Sequence, residues 1–136
     1  MSVTTKSFCS IVLVICLVLC FCASALAYNE TYLVHTSGYL APGATVTGEV
    51  HPTLGRYMGI IVGTGLVNAP NGVTSSLNFY MYPIDKNVSA TNVGKAELIW
   101  EGTLPSDAVT GGNTYFLRNN SNYNMAYTLA IIERWD

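Results

Sequence analysis

The side chains that could perform chemistry in this chain are few and widely spaced. There are two histidines, His35 and His51, and they fall in different segments. A hydrolytic or redox site needs a nucleophile beside a base, or a cluster of metal ligands. The aspartates Asp85, Asp107 and Asp136 are far apart in sequence, and the H-E-x-x-H and G-x-S-x-G patterns are absent. We therefore expect no catalytic residues, no metal site and no cofactor.

Tyrosine is the residue type best suited to binding, and the chain has nine. Residues 76–82 alternate, so the apolar side chains share one face while Asn78, Tyr80 and Tyr82 share the other. Exposed tyrosine rings stack on sugar rings or pack against a protein partner. The alternative is that these are ordinary sheet residues, half covered by their neighbours. Asn78, Tyr80 and Tyr82 are the candidate binding residues.

Three sequons for N-glycosylation are present, at Asn29, Asn87 and Asn119. Asn87 and Asn119 fall in segments predicted to be loops, where a glycan would fit. Their use depends on whether the host glycosylates exported proteins.

The elements that must position these residues are short strands. Charged residues are sparse, while Gly, Asn, Thr, Tyr and Val are plentiful, which is typical of strands joined by tight turns. No segment has a sustained helical period. Strand patterns recur about every 8–12 residues, which predicts one antiparallel β-sandwich, jelly-roll-like, with about seven strands. The predicted strands are residues 30–39, 44–50, 56–62, 76–82, 96–104, 114–119 and 125–133.

Turn-forming clusters separate these strands at residues 68–72, 83–92, 110–113 and 119–124. The mostly apolar segment 56–62 is expected to be a central strand. In segment 96–104, alternation places Leu98 and Trp100 on one face. In the final strand Met125, Tyr127 and Leu129 share a face with Ile131.

The second half of the chain resembles a known family of secreted domains. Residues 76–83, S-L-N-F-Y-M-Y-P, and residues 112–119, G-N-T-Y-F-L-R-N, are similar to strands of bacterial pre-peptidase C-terminal domains, as are residues 126–131. Sandwiches of the GOLD type share the same pattern of strand sequences. The resemblance implies a non-catalytic β-sandwich that binds polysaccharide, protein or a neighbouring domain. Where that family often has an acidic residue this chain has Asn78, which weakens an implied calcium site.

Residues 1–27 have the three parts of a secretory signal peptide. Lys6 supplies the charge, residues 11–23 are almost continuously apolar, and Ala25 and Ala27 form an A-x-A pair. We expect cleavage after Ala27, leaving a β-sandwich domain at residues 28–136. All four cysteines lie in this segment, so the remaining chain is stabilised by burial alone. The alternative is an uncleaved anchor, since about 20 apolar residues span a bilayer.

The predicted location is therefore extracellular, or in the cell envelope. Removing Lys6 leaves five basic and eight acidic residues, a net charge of about −3. Such a chain is not expected to bind nucleic acid or an anionic membrane by charge. Membrane contact is expected only through the signal segment, if it is retained.

These features favour a small exported protein that binds a surface glycan or a cell-surface protein. The alternative is a structural subunit of an envelope or extracellular assembly, formed by self-association. In that case residues 28–39 could add a strand to a neighbour's sheet, and the uncharged strand 125–132 offers a sheet edge. A minimal hydrolase or lyase is the minor alternative, and it requires His35 and His51 to meet beside an acidic residue.

Overall fold

A computed structural model of the chain describes residues 28–136. The predicted signal peptide and all four cysteines lie outside the described residues. The described part is built from strands, with one short 3-10 turn at Ser106–Ala108. The strands are β1 (Asn29–Leu40), β2 (Thr45–Val50), β3 (Tyr57–Leu66), β4 (Ser75–Met81), β5 (Ile84–Ala90), β6 (Lys95–Thr103), β7 (Asn113–Asn119) and β8 (Met125–Trp135).

The eight strands form two four-stranded antiparallel sheets. Sheet A has the order β1-β8-β3-β6, and sheet B has the order β2-β7-β4-β5. Every connection except the β4–β5 hairpin passes from one sheet to the other, which is the connectivity of a jelly roll. The predicted antiparallel jelly-roll sandwich is confirmed, with eight strands rather than about seven. No helix within residues 28–136 is long and apolar enough to cross a membrane.

The core lies between the sheets and follows the predicted alternation. Leu77, Phe79 and Met81 point inward from β4 and are fully buried. The predicted common face of β8 is also confirmed: Met125, Tyr127, Leu129 and Ile131 are buried in the same cluster. Because a sheet residue and its second neighbour share a face, this alternation fixes the outward residues as well.

Strand β3 is central in sheet A, as predicted, between β8 and β6. It is buried on both faces, and so is β8. On the side facing away from the core, Ile61, Ala130 and Ile132 form a second apolar cluster against Ala96. The outer side of sheet A therefore has an apolar cluster at its centre, in addition to the apolar inner face.

Strand β5 was missed, because the prediction placed a turn across residues 83–92. Its Ile84, Val88 and Ala90 are buried while Asp85 and Asn87 are exposed, so the alternation is present. Lys86 stands at an inward position and interrupts the apolar pattern, which is possible because β5 is an edge strand. Asp85 and Asn87 therefore lie in a strand, not in the predicted loop.

The predicted common face for Leu98 and Trp100 is wrong. Leu98 pairs with Ile61 and Trp100 with Ile60, with a register shift between the two pairs. Ile99 is the extra residue of this β-bulge, which turns Trp100 toward the core and leaves Leu98 on the outer face. A bulge breaks the two-residue period that the prediction assumed.

Strand β1 is an edge strand of sheet A, whereas β8, which was expected to offer a sheet edge, is an interior strand. Strand β1 pairs along its whole length with β8 of its own sheet. The hydrogen-bonding positions that the prediction offered to a second copy are therefore filled on that side by β8.

Candidate functional site

The candidate site is the outer face of sheet B, on the side away from the core. Strand β7 pairs with β4, which places Tyr80 opposite Phe116 and Asn78 opposite Arg118. Strand β5 pairs with the other side of β4 and places Asn87 beside Asn78 and Asp85 beside Tyr80. We call this surface the β4–β7 face; its residues are Asn78, Tyr80, Asp85, Asn87, Phe116 and Arg118.

Two aromatic rings form the centre of the β4–β7 face. Tyr80 is 38% exposed and Phe116 is 37% exposed. Their ring centroids are 6.1 Å apart, with an interplanar angle of 48°. Since the rings are tilted, they present two surfaces at an angle rather than one flat platform. Apolar rings held in water-accessible positions can stack on a ligand with apolar C–H faces.

Polar groups surround the two rings on the β5 side. The Asn78 Nδ2 donates to Asp85 Oδ1 at 2.8 Å, to Asn87 Oδ1 at 3.1 Å and to the Lys86 carbonyl at 3.3 Å. These bonds hold the Asp85 and Asn87 side chains beside Tyr80. A carboxylate and an amide have more lone pairs and N–H groups than these bonds use, so both can also bond a polar ligand.

The predicted pair Tyr80 and Tyr82 is split by the end of β4. Tyr80 belongs to the strand, whereas Tyr82 lies in the turn after it and is 46% exposed. The Tyr82 hydroxyl donates to Asp107 Oδ2 at 2.9 Å. This hydrogen bond and the charge of Asp107 raise the pKa of the Tyr82 phenol above its ordinary value. Tyr82 is therefore tied to the Ser106–Ala108 turn, at the margin of the site.

Asp85, Phe116 and Arg118 are the residues of the face that the sequence did not predict. Phe116 and Arg118 are exposed, and they alternate with Tyr115 and Leu117, which are buried. That alternation was readable in the sequence and would have placed both outward. Their proximity to Tyr80 and Asn78 was not readable, because it depends on the pairing of β7 with β4.

The three sequons lie in very different surroundings. Asn29 is exposed at the start of β1, and Asn87 is exposed on the β4–β7 face. Asn119 is fully buried at the end of β7, so the predicted loop position is wrong here too. Its Nδ2 donates to the carbonyls of Leu40, Ala41 and Tyr123. The nitrogen that a glycan would modify is therefore already used inside the fold.

The two histidines lie on different sheets. His35 is on the outer side of β1 in sheet A and stacks on Tyr32, with ring centroids 4.5 Å apart. His51 follows β2 of sheet B, and its Nε2 lies 3.8 Å from Glu49. Within residues 28–136, no three His, Cys, Asp or Glu side chains form a group that could hold a metal ion.

A cleft adjoins the β4–β7 face at its far end. It has a volume of about 330 Å³ and is lined by Arg118 and the turns at either side, with Pro42, Gly43, Asn119, Asn120, Ser121 and Asn122. Arg118 is therefore shared by the face and the cleft.

A second cleft of about 520 Å³ lies at the start of β3 and the end of β8, where the Arg56 guanidinium lies 3.9 Å from the centroid of the Trp135 ring. There Arg56 also bonds the buried Glu133 carboxylate at 2.8 Å, so its charge is compensated.

No family model matches this chain. No curated protein matches it in sequence either.

Solved structures do match the fold. A ruminal GH26 endo-β-1,4-mannanase matches 69% of this chain at 10% identity with a TM-score of 0.50, and the chain spans 19% of that protein. The GH26-CBM35 β-(1,4)-mannanase of Podospora anserina matches 84% at 12% identity and the same TM-score, and the chain spans 27% of it. The CBM22-1 xylan-binding domain of Paenibacillus barcinonensis Xyn10C matches 80% of this chain and 96% of its own length, at 10% identity and a TM-score of 0.44.

At these identities the likeness concerns the fold alone, and the chain spans less than a third of either mannanase. None of the three is a pre-peptidase C-terminal or GOLD domain, so that resemblance stays a prediction.

Proposed function

We propose that this protein is a binding protein for a glycan, and that the β4–β7 face is the binding surface. The observation that carries the proposal is the pair of exposed rings, Tyr80 and Phe116, with polar side chains held beside them. A sugar ring has apolar C–H faces and a rim of hydroxyl groups. Rings for stacking, next to hydrogen-bonding groups in fixed positions, match both properties.

The position of the rings on strands supports the proposal. A binding group works best when the backbone that carries it is rigid, and strands β4 and β7 are both interior strands of sheet B. Asn78 fixes Asp85 and Asn87 before any ligand arrives, which reduces the entropy lost on binding. The face is therefore largely preorganised.

Binding to a panel of soluble polysaccharides, measured by isothermal titration calorimetry and a glycan array, tests the proposal. We expect Tyr80→Ala and Phe116→Ala each to weaken binding about tenfold, because each removes a stacking ring worth about 1.4 kcal/mol. The matched control is Tyr57→Ala, since Tyr57 is an exposed tyrosine of β3 on sheet A, 40% exposed. Equal affinity for the native protein and both ring variants would move the site elsewhere.

The proposed role is binding without catalysis, outside the cell or in its envelope. Incubating the protein with each bound glycan and measuring new reducing ends would reveal hydrolysis. Mass spectrometry of the exported product would test the predicted cleavage after Ala27, where a product beginning at Met1 contradicts it.

The second candidate function, a subunit of an extracellular assembly, is favoured by the outer face of sheet A. There Leu98 is 42% exposed, next to the cluster of Ile61, Ala130 and Ile132, whose own side chains are buried. Analytical ultracentrifugation over a wide concentration range tests self-association. A concentration-dependent mass that Leu98→Glu abolishes would support it, whereas a constant monomer mass would count against it.

A further inference from the structure

We infer that the glycan bound at the β4–β7 face carries an anionic group, a carboxylate or a sulfate, and that Arg118 binds this group at the entrance to the adjoining cleft. This inference rests on the proposed function and names the class of its ligand. It predicts an acidic polysaccharide rather than a neutral one.

Arg118 has no ion pair among the described residues. The other described arginines do: Arg56 lies 2.8 Å from Glu133, and Arg134 lies 3.5 Å from Glu30. Lys95 lies 3.5 Å from Glu97. None of the hydrogen bonds between described residues uses the Arg118 guanidinium either. In a chain with more acidic than basic residues, an exposed arginine without a carboxylate partner is available for a ligand.

Among residues 28–136, no acidic side chain lines the cleft beside Arg118. The other described lining residues are Pro42, Gly43 and the segment from Asn119 to Asn122, so Arg118 is the one charged side chain among them. The exposed side chains of Asn120 and Asn122 add neutral hydrogen-bond donors and acceptors. The acidic member of the face, Asp85, lies on β5, beyond β4 from Arg118, and is bonded to Asn78. The local field at the cleft therefore favours an anion.

Arg118 is also at the right distance from the rings to act on the same ligand. It follows Phe116 by two residues on the same outward side of β7, which corresponds to about 7 Å along the strand. A chain molecule stacked on Phe116 and running along β7 must pass Arg118 before it reaches the cleft. The planar guanidinium can donate two parallel hydrogen bonds to a carboxylate or a sulfate, which a neutral hydroxyl cannot accept as well.

The experiment measures affinity for soluble polysaccharides with and without their charge. Polygalacturonate and alginate carry carboxylates, carrageenan carries sulfates, and galactomannan and galactan are neutral. For each acidic polysaccharide that binds, the carboxyl-reduced or desulfated product is the neutral counterpart. We expect each anionic form to bind about tenfold more tightly than its neutral counterpart, with the difference shrinking at high salt. Comparing the carboxylated with the sulfated polysaccharides shows which of the two anionic groups Arg118 binds.

Arg118→Gln should remove this preference and leave the affinity for the neutral form unchanged. Lys95→Gln is the matched control, because it removes the same charge from sheet A. Tyr80→Ala and Phe116→Ala should weaken both forms alike. If neutral glycans bind as well as acidic ones and Arg118→Gln changes nothing, the inference is wrong while the proposed function stands. If no glycan binds at all, the proposed function fails and the inference fails with it.

Discussion

The two sides of sheet B use the same residue types for opposite purposes. On the inner side Asn119 and Tyr115 are buried, and on the outer side Asn78 and Tyr80 lie in contact with solvent. Each asparagine donates its amide to three acceptors. The residue type therefore does not reveal the role. Burial does, because a hydrogen bond closed off from water must be kept, whereas an exposed one can be exchanged for a ligand.

The inner side joins three separate segments through one side chain. Asn119 donates to the carbonyls of Leu40, Ala41 and Tyr123, and its Oδ1 accepts from the backbone and hydroxyl of Ser121. This side chain thereby fixes the end of β1 against the turn that leads from β7 to β8. A polar network that is buried and fully bonded stabilises one arrangement of the chain.

The largest effect on stability is expected for Asn119→Ala. The change leaves several buried carbonyl and N–H groups without partners, and we expect it to lower the free energy of unfolding by about 3 kcal/mol. Urea denaturation measures the difference. Asn120→Ala is the control, since that exposed neighbour should change stability by less than about 0.5 kcal/mol. Equal effects of the two substitutions would remove the distinction between the two sides.

The second effect concerns the packing of Tyr115 over Gly48. The two residues are paired across β2 and β7, and a Cβ added at Gly48 would lie 2.5 Å from atoms of the Tyr115 ring. Gly48→Ala therefore forces the ring to move, and we expect a loss of about 2 kcal/mol in the free energy of unfolding.

The control for Gly48→Ala is Gly59→Ala on sheet A. There the nearest atom to an added Cβ is Leu98 Cδ1 at 3.5 Å, an ordinary contact. We expect thermal unfolding to show a clear decrease in the midpoint for the first variant and little change for the second. A stable Gly48→Ala variant would mean that the inner side of sheet B is less closely packed than the structure indicates.

The third predicted effect is a loss of glycan affinity on the outer side of sheet B, where Asn78→Ala is the counterpart of Asn119→Ala. Removing this amide frees Asp85 and Asn87 to move, so we expect glycan affinity to fall about threefold to tenfold. Stability should change by less than about 0.5 kcal/mol, because water can replace the exposed hydrogen bonds. Calorimetric binding and urea denaturation on the same sample separate the two outcomes. A large loss of stability with unchanged affinity would assign Asn78 to the fold.

The sequence predicts the alternation within strands better than the pairing between them. Leu77, Phe79 and Met81 were predicted to share a face, and they do, because a strand has a fixed two-residue period. The period fails where a residue is inserted, as at Ile99, or where an edge strand carries a charge at an inward position, as at Lys86 in β5. Both the bulge and the edge position of β5 depend on how neighbouring strands pair. The pattern of residues within one strand does not show that pairing.

The residues of the candidate site also fall into two groups, those predictable from a single strand and those that depend on strand pairing. Asn78 and Tyr80 could be named from one strand, since both lie on its polar side. Phe116 and Arg118 join them only because β7 flanks β4, an order that results from connections between the sheets, and Asp85 joins them through the β4–β5 hairpin. A surface assembled from three strands is a property of the topology. Its chemistry becomes visible only when the register is known.

The smallest predicted effect is a decrease in the free energy of unfolding at alkaline pH, caused by Tyr115 on the inner side of sheet B. Burial raises the pKa of the Tyr115 phenol above its ordinary value of 10.0, with a smaller contribution from Tyr127. Above about pH 10 the unfolded chain therefore releases this proton while the folded chain keeps it. The stability that Tyr115 contributes is present below that pH and is lost as the pH rises through the higher, folded-state pKa. Urea denaturation between pH 8 and pH 11 should show the decline, and Tyr115→Phe should make it shallower. An unchanged slope in Tyr115→Phe would show that the decline does not come from this buried phenol.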